Sequence, residues 1–372
     1  MQLVRIMSLS ILVHLELARH LAMMAGLAVF SSLIVRVMIA IRVPDFPDPR
    51  KAHNVVTPKS GGVGIVCAFL LGVILLYSYS HTSRIADPYF LGVIGSAVLI
   101  ALVSLLDDLR SMSYTVKLGG QLLAALVAIL SGLWVHSITL PSYGVINFGW
   151  LGMPLTAAFL LFVTNALNFI DGINGLAGGV TLIACLFLAA IAVPLHAFFT
   201  FSTSLLLAGG VLGFLPFNFP KAKIFMGDVG SQFCGFMLAL CGIAVSRFEQ
   251  TQMSFMLVPF LLSGVLYDVA FTLIRRAFAH ENLARAHNGH LYQLACRSGM
   301  SNVKVAIIHW GFVVVGGVTA IIYIAIKSEY RLWVGLVPLI IQFIWTGYVM
   351  NRAHKAGLMS GLCKTVTTTS RI

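Results

Sequence analysis

Apolar stretches of about 20 residues recur almost from end to end of this 372-residue chain, and each is long enough to cross the hydrocarbon core of a bilayer as a helix. Runs such as Val180 to Pro194 and Val303 to Ile326 are apolar on every face, unlike the one-sided stripe of a helix on a soluble domain. The period-2 alternation of a membrane β-barrel is absent. Only 10% of the residues are charged, against roughly 25% in a soluble domain. The expected fold class is therefore all-α: a polytopic integral membrane helix bundle of about 10–11 transmembrane helices, with no room for a large soluble domain.

Apolar runs between charged or Pro/Gly breaks place spans near 21–41, 61–80, 89–106, 118–137, 150–169, 176–193, 201–217, 231–246, 254–274, 304–326 and 331–350. Consecutive spans reverse direction, so the loops after odd-numbered spans share one side. That side, with the C-terminal tail, carries 17 Lys and Arg, while the other carries 6 and Arg36 lies inside the first span. Basic loops stay inside, which makes the odd side cytoplasmic. The expected organisation is an N-terminal segment 1–20, a transmembrane catalytic domain 21–350 and a cytoplasmic tail 351–372. Residues 1–20 resemble a signal peptide only weakly, because Glu16, Arg19 and His20 interrupt the apolar run.

The net charge of +12 would suit nucleic acid only if the basic residues formed a continuous soluble patch. They sit instead in loops between apolar runs, where they suit topology, anionic lipid headgroups and a phosphate-rich substrate. The six cysteines (Cys67, Cys185, Cys234, Cys241, Cys296 and Cys363) are scattered without C-x-x-C spacing, so neither a disulfide framework nor a zinc site is indicated.

Five polar segments stand out: Asp45 to Gly62, Asp107 to Gln121, Asn165 to Gly175, Asn218 to Ser231 and Arg275 to Gln293. Each follows an odd span, so all five are expected on one face, as a site assembled from loops requires. A transporter more often places its polar groups near the bilayer midplane.

Asp107 and Asp108 end an apolar span ahead of Lys117 and Gln121. They read either as solvated carboxylates ending a helix or as a pair that holds a cation. Asn165, Asn168 and Asp171 are spaced three apart and share one helical face. Their oxygens suit a hard cation such as magnesium, although asparagine-mediated helix packing is the bland alternative. In Phe225-Met-Gly-Asp228-Val-Gly-Ser231 a carboxylate lies between glycines just before a helix, where backbone N–H groups and a metal can approach a phosphate. His287 and His290, close to Arg275, Arg276 and Arg285, suit phosphate better than zinc for want of a third nearby ligand. Asp268, inside the ninth span about 10 Å from its end, is either a wall of the site or a structural hydrogen-bonding group.

The chain resembles the polyprenyl-phosphate N-acetylhexosamine-1-phosphate transferases, glycosyltransferase family 4. The likeness covers about Asp45 to Met300, through Lys51-Ala-His53, Thr57-Pro-Lys59-Ser-Gly-Gly62, Asp107-Asp108 with Lys117 and Gln121, Asn165-Ala-Leu-Asn168-Phe-Ile-Asp171-Gly172, Phe225 to Ser231 and His287-Asn-Gly-His290. The resemblance implies transfer of a sugar 1-phosphate from a UDP-N-acetylhexosamine donor to undecaprenyl phosphate, releasing UMP, at the inner membrane of a bacterium. It implies a magnesium cofactor, with manganese as a substitute, held by Asp228 and Asn168. Asp107 would be the base or orienting carboxylate beside Asp108, and Asp171, Lys117, His287 and His290 would position or neutralise the pyrophosphate. Lys51, Lys59, Asn174, Asn218, Phe225 and Arg285 would bind substrate. Membrane lipids are the further partners, a homodimer is compatible, and no nucleic acid is involved.

Two departures bear on the donor. Asp171-Gly-Ile-Asn174-Gly carries Asn174 where many relatives carry Asp, and the histidine motif has neither three consecutive histidines nor His-x-His-His. His287-Asn-Gly-His290-Leu-Tyr292-Gln293 is most similar to the O-antigen-initiating branch, whose donors are often UDP-deoxy-N-acetylhexosamines. A member specific for UDP-GlcNAc or for the muramoyl pentapeptide, a transporter or lipid flippase, and a non-catalytic membrane scaffold are the competing readings. Transport predicts no UMP formation, and a scaffold no magnesium requirement.

Overall fold

The computed structural model describes residues 2–45, 56–79, 88–110, 112–140, 144–195, 197–247, 255–282 and 287–358. In chain order the helices are α1 (Gln2–Ile41), α2 (Gly62–Tyr79), α3 (Pro88–Arg110), α4 (Tyr114–Leu130), α5 (Gly152–Ile170), α6 (Leu176–Ala192), α7 (Phe198–Asn218), α8 (Gly227–Arg247), α9 (Leu257–Leu261), α10 (Ser263–Phe278), α11 (Leu291–Arg297), α12 (Asn302–Ala325) and α13 (Ser328–Lys355). The short strands β1 (Pro44–Asp45) and β2 (Thr57–Pro58) pair antiparallel, as do β3 (Ser137–Leu140) and β4 (Gly144–Asn147).

Seven helices among the described residues are long and apolar enough to cross a membrane, and three shorter ones are also apolar. Ten of the eleven expected spans are matched by these helices and the ninth by α9 with α10, and the protein is a polytopic all-α membrane protein. The ninth departs from expectation because it is split: α9 stops at Leu261, Leu262 leaves the helical conformation, and α10 begins at Ser263. The last helix also outruns its expected span. It continues to Lys355, and Arg352 Nη2 in its final turn donates to the Ser298 carbonyl at 2.9 Å, docking it on the connection between α11 and α12.

α8 is the axis of the bundle. Of its apolar stretch, 94% is buried, and α2, α3, α5, α6, α7 and α9 all pack on it. Large apolar side chains point outward from peripheral helices, among them Leu102, Leu130, Trp333 and Phe343, as lipid-facing surfaces require. Between α3, α4, α5 and α8 runs a polar seam. Ser104 Oγ and Gln121 Nε2 both donate to Gln232 Oε1 (3.0 and 2.9 Å), and Asn165 Nδ2 donates to Gln121 Oε1 at 2.7 Å. Interhelical hydrogen bonds in membranes average about 0.6 kcal/mol, so this seam sets the register of the four helices more than it adds stability. The head of α8, where Asp228 lies in the first turn, is thereby fixed against the ends of α3 and α5.

Candidate active site

Five separate stretches of chain meet at that head. They enclose a cavity of about 780 Å³ whose lining includes Thr57 and Lys59, Asp107, Asp108 and Lys117, Asn168, Asp171 and Asn174, Asn218, Phe225 and Asp228, and Asn288, Tyr292, Gln293 and Arg297. These are the five polar segments singled out in the sequence, with Cys296, Arg297 and Asn302 beyond the end of the last.

The 57–62 stretch reaches the cavity by backbone pairing. Phe225 N–H donates to the Pro58 carbonyl (2.8 Å), Gly61 N–H to Phe225 O (2.9 Å) and Gly62 N–H to Met226 O (2.8 Å). Lys59 and Ser60 are thus held beside the start of α8. The chain enters that helix through Gly227 at φ +75, a conformation that L side chains rarely adopt. A Cβ there would also collide with Asp108 Oδ2.

The neighbouring carboxylates Asp107 and Asp108 do different work. Asp108 accepts the backbone N–H groups of Asp228 (3.1 Å) and Val229 (3.3 Å) and the Ser60 hydroxyl (3.0 Å), with Lys59 Nζ 3.7 Å away. It caps α8, where a negative charge opposes the positive end of the helix dipole. Asp107 turns instead to Lys117, with which it forms an ion pair, and accepts Met112 N–H at 2.7 Å. Lys117 also contacts Asp228 Oδ2 at 3.1 Å. Exposure separates their roles: the Asp228 and Lys117 side chains are 27% and 29% open, whereas Asp107 and Asp108 are 5% and 3%. Asp228 is therefore the accessible carboxylate of this trio.

Asn168 Nδ2 donates to Asp228 Oδ1 at 3.0 Å and to Ser231 Oγ at 2.9 Å, leaving its own Oδ1 for another partner. Asn165, on the same face, faces the polar seam, which is the helix-packing role. Asp171, half-buried in the cavity wall, is pushed well above the usual carboxylate range by burial and by the facing charges of Asp228 and Asp108. Asn218 accepts Gly175 N–H at 2.6 Å and donates to the Ile224 carbonyl at 3.0 Å, so its amide ties two cavity loops together. Asn174 donates to the Pro220 carbonyl at 3.2 Å, and Phe225 lines the cavity.

His287 and His290 lie behind the wall rather than in it. His290 is 4% exposed, and its ring centroid is 4.8 Å from that of His287. Burial and the neighbouring His290, Arg276 and Arg275 push the His287 pKa down to about 4. The ring is therefore neutral near pH 7, so its positive charge would require an anion beside it. Lys51 and Arg285 lie outside the described residues. Sequence reasoning named Tyr292 and Gln293 only as part of the branch motif and missed Cys296 and Arg297; all four belong to α11 and line the cavity. Gln293 and Arg297 are spaced i, i+4 and so share a helical face, which is the signal in the sequence that marks them.

The donor set suits a hard divalent cation. Carboxylate oxygens of Asp107 and Asp228 already hold one cationic group, the Lys117 ammonium, and Asn168 has a carbonyl oxygen to spare; oxygen ligands in this number fit magnesium, which keeps part of its shell for water and phosphate.

Such a fold and site, carboxylates and a lysine at the end of a membrane helix bundle, suit a membrane-embedded protein that handles phosphate groups. The model of glycosyl transferase family 4 matches residues 90–246. The chain is 29% identical over 338 residues, 90% of each chain, to a probable undecaprenyl-phosphate N-acetylglucosaminyl 1-phosphate transferase of Bacillus subtilis strain 168. It is 30% identical to the decaprenyl-phosphate N-acetylglucosaminephosphotransferase of Mycobacterium tuberculosis, covering 75% of this chain and 76% of that one. A phospho-N-acetylmuramoyl-pentapeptide-transferase of Acetivibrio thermocellus is 29% identical over 68% of this chain and 77% of its own. The chain belongs to glycosyl transferase family 4 and is a sugar-phosphate transferase of the membrane.

Proposed function

We propose that the protein moves an N-acetylhexosamine 1-phosphate from a UDP-linked donor to undecaprenyl phosphate, giving polyprenyl-diphospho-sugar and UMP. The observation that carries this reading is the open carboxylate Asp228, flanked by Lys117 and Asn168, at the head of the buried central helix. There a soluble diphosphate and a lipid phosphate can meet at the membrane boundary. A phosphate oxygen of the lipid attacks the sugar-linked phosphorus, the bond to the UMP oxygen breaks, and one phosphoanhydride replaces another. Magnesium, with manganese as a substitute, would be held by Asp228, Asn168 and Asp107, and would neutralise charge on the phosphoryl oxygens. Lys117 and Lys59 add positive charge along the same wall. Asp107, held by Lys117, orients the attacking phosphate, and the loops keep the attacking and leaving oxygens in line.

The 17 to 6 asymmetry of Lys and Arg supports placing this cavity on the cytoplasmic side of a bacterial inner membrane. Single cysteines introduced at Lys59, Arg110 and Lys221 are expected to react in intact cells only with a membrane-permeant reagent. Labelling of any of them by an impermeant reagent from outside would reverse the orientation.

The donor is proposed to be a UDP-deoxy-N-acetylhexosamine used to start a cell-surface polysaccharide such as O-antigen. Support comes from Tyr292 and Gln293, which line the cavity within a motif that departs from His-x-His-His. The names of the relatives favour a second reading, UDP-GlcNAc. Purified protein with undecaprenyl phosphate and competing UDP-sugars separates the two through UMP release and product identity. A site built around one hydroxyl can discriminate by about 10⁴-fold when the wrong donor leaves a polar group unpaired, so a clear preference is expected. A higher kcat/KM for UDP-GlcNAc would overturn the branch assignment and leave the reaction class standing. No UMP with any UDP-sugar would overturn the reaction itself.

A further inference from the structure

Asp268 takes no part in the chemistry proposed above, yet it is a carboxylate 1% exposed inside the bundle. An ionisable group inside a membrane bundle is costly and is retained where it has partners and a task. Its partners are specific. Leu291 N–H donates to Oδ1 at 2.8 Å, Tyr292 N–H donates to Oδ2 at 3.0 Å, and His290 Nδ1 lies 3.3 Å from Oδ1. Only the Thr272 hydroxyl, at 3.3 Å, comes from its own helix. Three of the four contacts thus join α10 to three consecutive residues at the start of α11.

α11 has only seven residues, and an isolated helix shorter than about 12–15 residues is marginal even in a favourable sequence. Its placement therefore depends on its anchors. One is the Tyr292 hydroxyl, which donates to the Phe169 carbonyl at 2.9 Å and fills the space that a Cβ on Gly172 would need. Asp268 is another, at the opposite end of the same tyrosine residue, beside the bond from His290 N–H to Gln293 Oε1 and the packing of α11 on α12 and α13. These two hold the start of α11 against α10 and α5, and so bear on how it presents Gln293 and Arg297 to the cavity.

We propose that Asp268 is a positioning residue for the transferase: by holding the backbone of residues 290–292 it sets the height and rotation of α11, and with them the cavity wall formed by Tyr292, Gln293 and Arg297. The proposal rests on the transferase reading above and assigns this wall to the UDP-sugar rather than to the lipid phosphate. Of the two readings that the sequence left open for Asp268, the hydrogen bonds to residues 290–292 favour the second, since Asp268 does not line the cavity itself.

Asp268→Asn tests it, because the amide keeps the volume but offers one acceptor where two backbone N–H groups need one each. In the full-length purified protein, hydrogen exchange of the amides at 289–294 is expected to accelerate at least tenfold, with the Tm nearly unchanged. The KM for the UDP-sugar is expected to rise about five- to twentyfold, while that for undecaprenyl phosphate stays within twofold. A residue that merely supported folding would reduce the active fraction, lowering apparent kcat and leaving both KM values alone; that result would overturn the proposal. So would unchanged exchange at 289–294. In a double-mutant cycle, the effect of Gln293→Ala on donor KM should largely vanish in the Asp268→Asn background, since residues acting through one element are not additive; full additivity would count against the mechanism. Asp268→Glu keeps the charge but displaces it by one methylene. It provides a second variant should the first fail to accumulate, and an unchanged donor KM and exchange rate in it would likewise overturn the proposal. If the wild-type protein releases no UMP, the transferase reading fails, and the exchange measurement still decides whether Asp268 anchors α11.

Discussion

Asp228→Asn is expected to lower kcat at least 10³-fold with donor and acceptor saturating, while the protein remains folded and extractable from the membrane. Asp228 is the accessible carboxylate at the head of α8, and both of its oxygens face donors: Asn168 on one side, Lys117 and Gln232 on the other. An asparagine there turns an NH2 group toward one of these donors and removes the charge that would hold a divalent cation against a pyrophosphate. A thousandfold corresponds to about 4 kcal/mol of transition-state stabilisation, a size usual for losing one electrostatic element of a site. Stability should change little, because the α8 cap belongs to Asp108 and the polar seam to Gln232, Gln121 and Asn165. UMP release measured against magnesium concentration is the check. Activity of the variant within tenfold of wild type would remove Asp228 from the mechanism.

That division of labour between two adjacent aspartates was not legible in the sequence, and the reason is geometric. Asp107 and Asp108 are identical in chemistry and consecutive on one helix, so they point about 100° apart; Asp107 meets the nearby Met112 and Lys117, whereas Asp108 meets Ser60 and the start of α8, 48 and 120 residues away. The convergence of five polar segments was legible, because the alternation of spans assigns every odd loop to one side. The helical content followed from apolar runs that no other membrane structure accommodates. The break between α9 and α10 was not, since Leu261, Leu262 and Ser263 sit in a run whose hydropathy gives no sign of interruption. The histidines attracted notice as titratable residues among arginines, but burial depends on packing against α10 and α5, which no local pattern records. Asn218 likewise matched a substrate-binding position by resemblance, while the fold spends its amide on Gly175 and Ile224.

Lys117→Met should be nearly as damaging as the loss of Asp228, by a different route. Lys117 projects its ammonium between Asp107 and Asp228, and methionine preserves much of the length while deleting the charge. The two carboxylates then face each other with no cation from the chain between them, and the incoming phosphate of the lipid meets five aspartates lining the cavity (Asp45, Asp107, Asp108, Asp171 and Asp228) with Lys59 as the cation left on the 57–59 side. At an effective dielectric constant near 20 the interaction of unit charges about 4 Å apart is about 4 kcal/mol, and partial exposure of Lys117 reduces what is realised. A fall in kcat/KM for undecaprenyl phosphate of about 10²- to 10³-fold is therefore expected, equivalent to about 3–4 kcal/mol. Lys117→Arg should recover only part of it, because a planar guanidinium does not place its charge at the same point as a compact ammonium. The ammonium also competes with a divalent cation for Asp228, so Lys117→Met should need less magnesium for half-maximal activity even as its maximal rate drops. A higher magnesium requirement in Lys117→Met would mean that Lys117 helps to assemble the metal site instead of sharing its ligands, and a rate within threefold of wild type would remove Lys117 from the reaction.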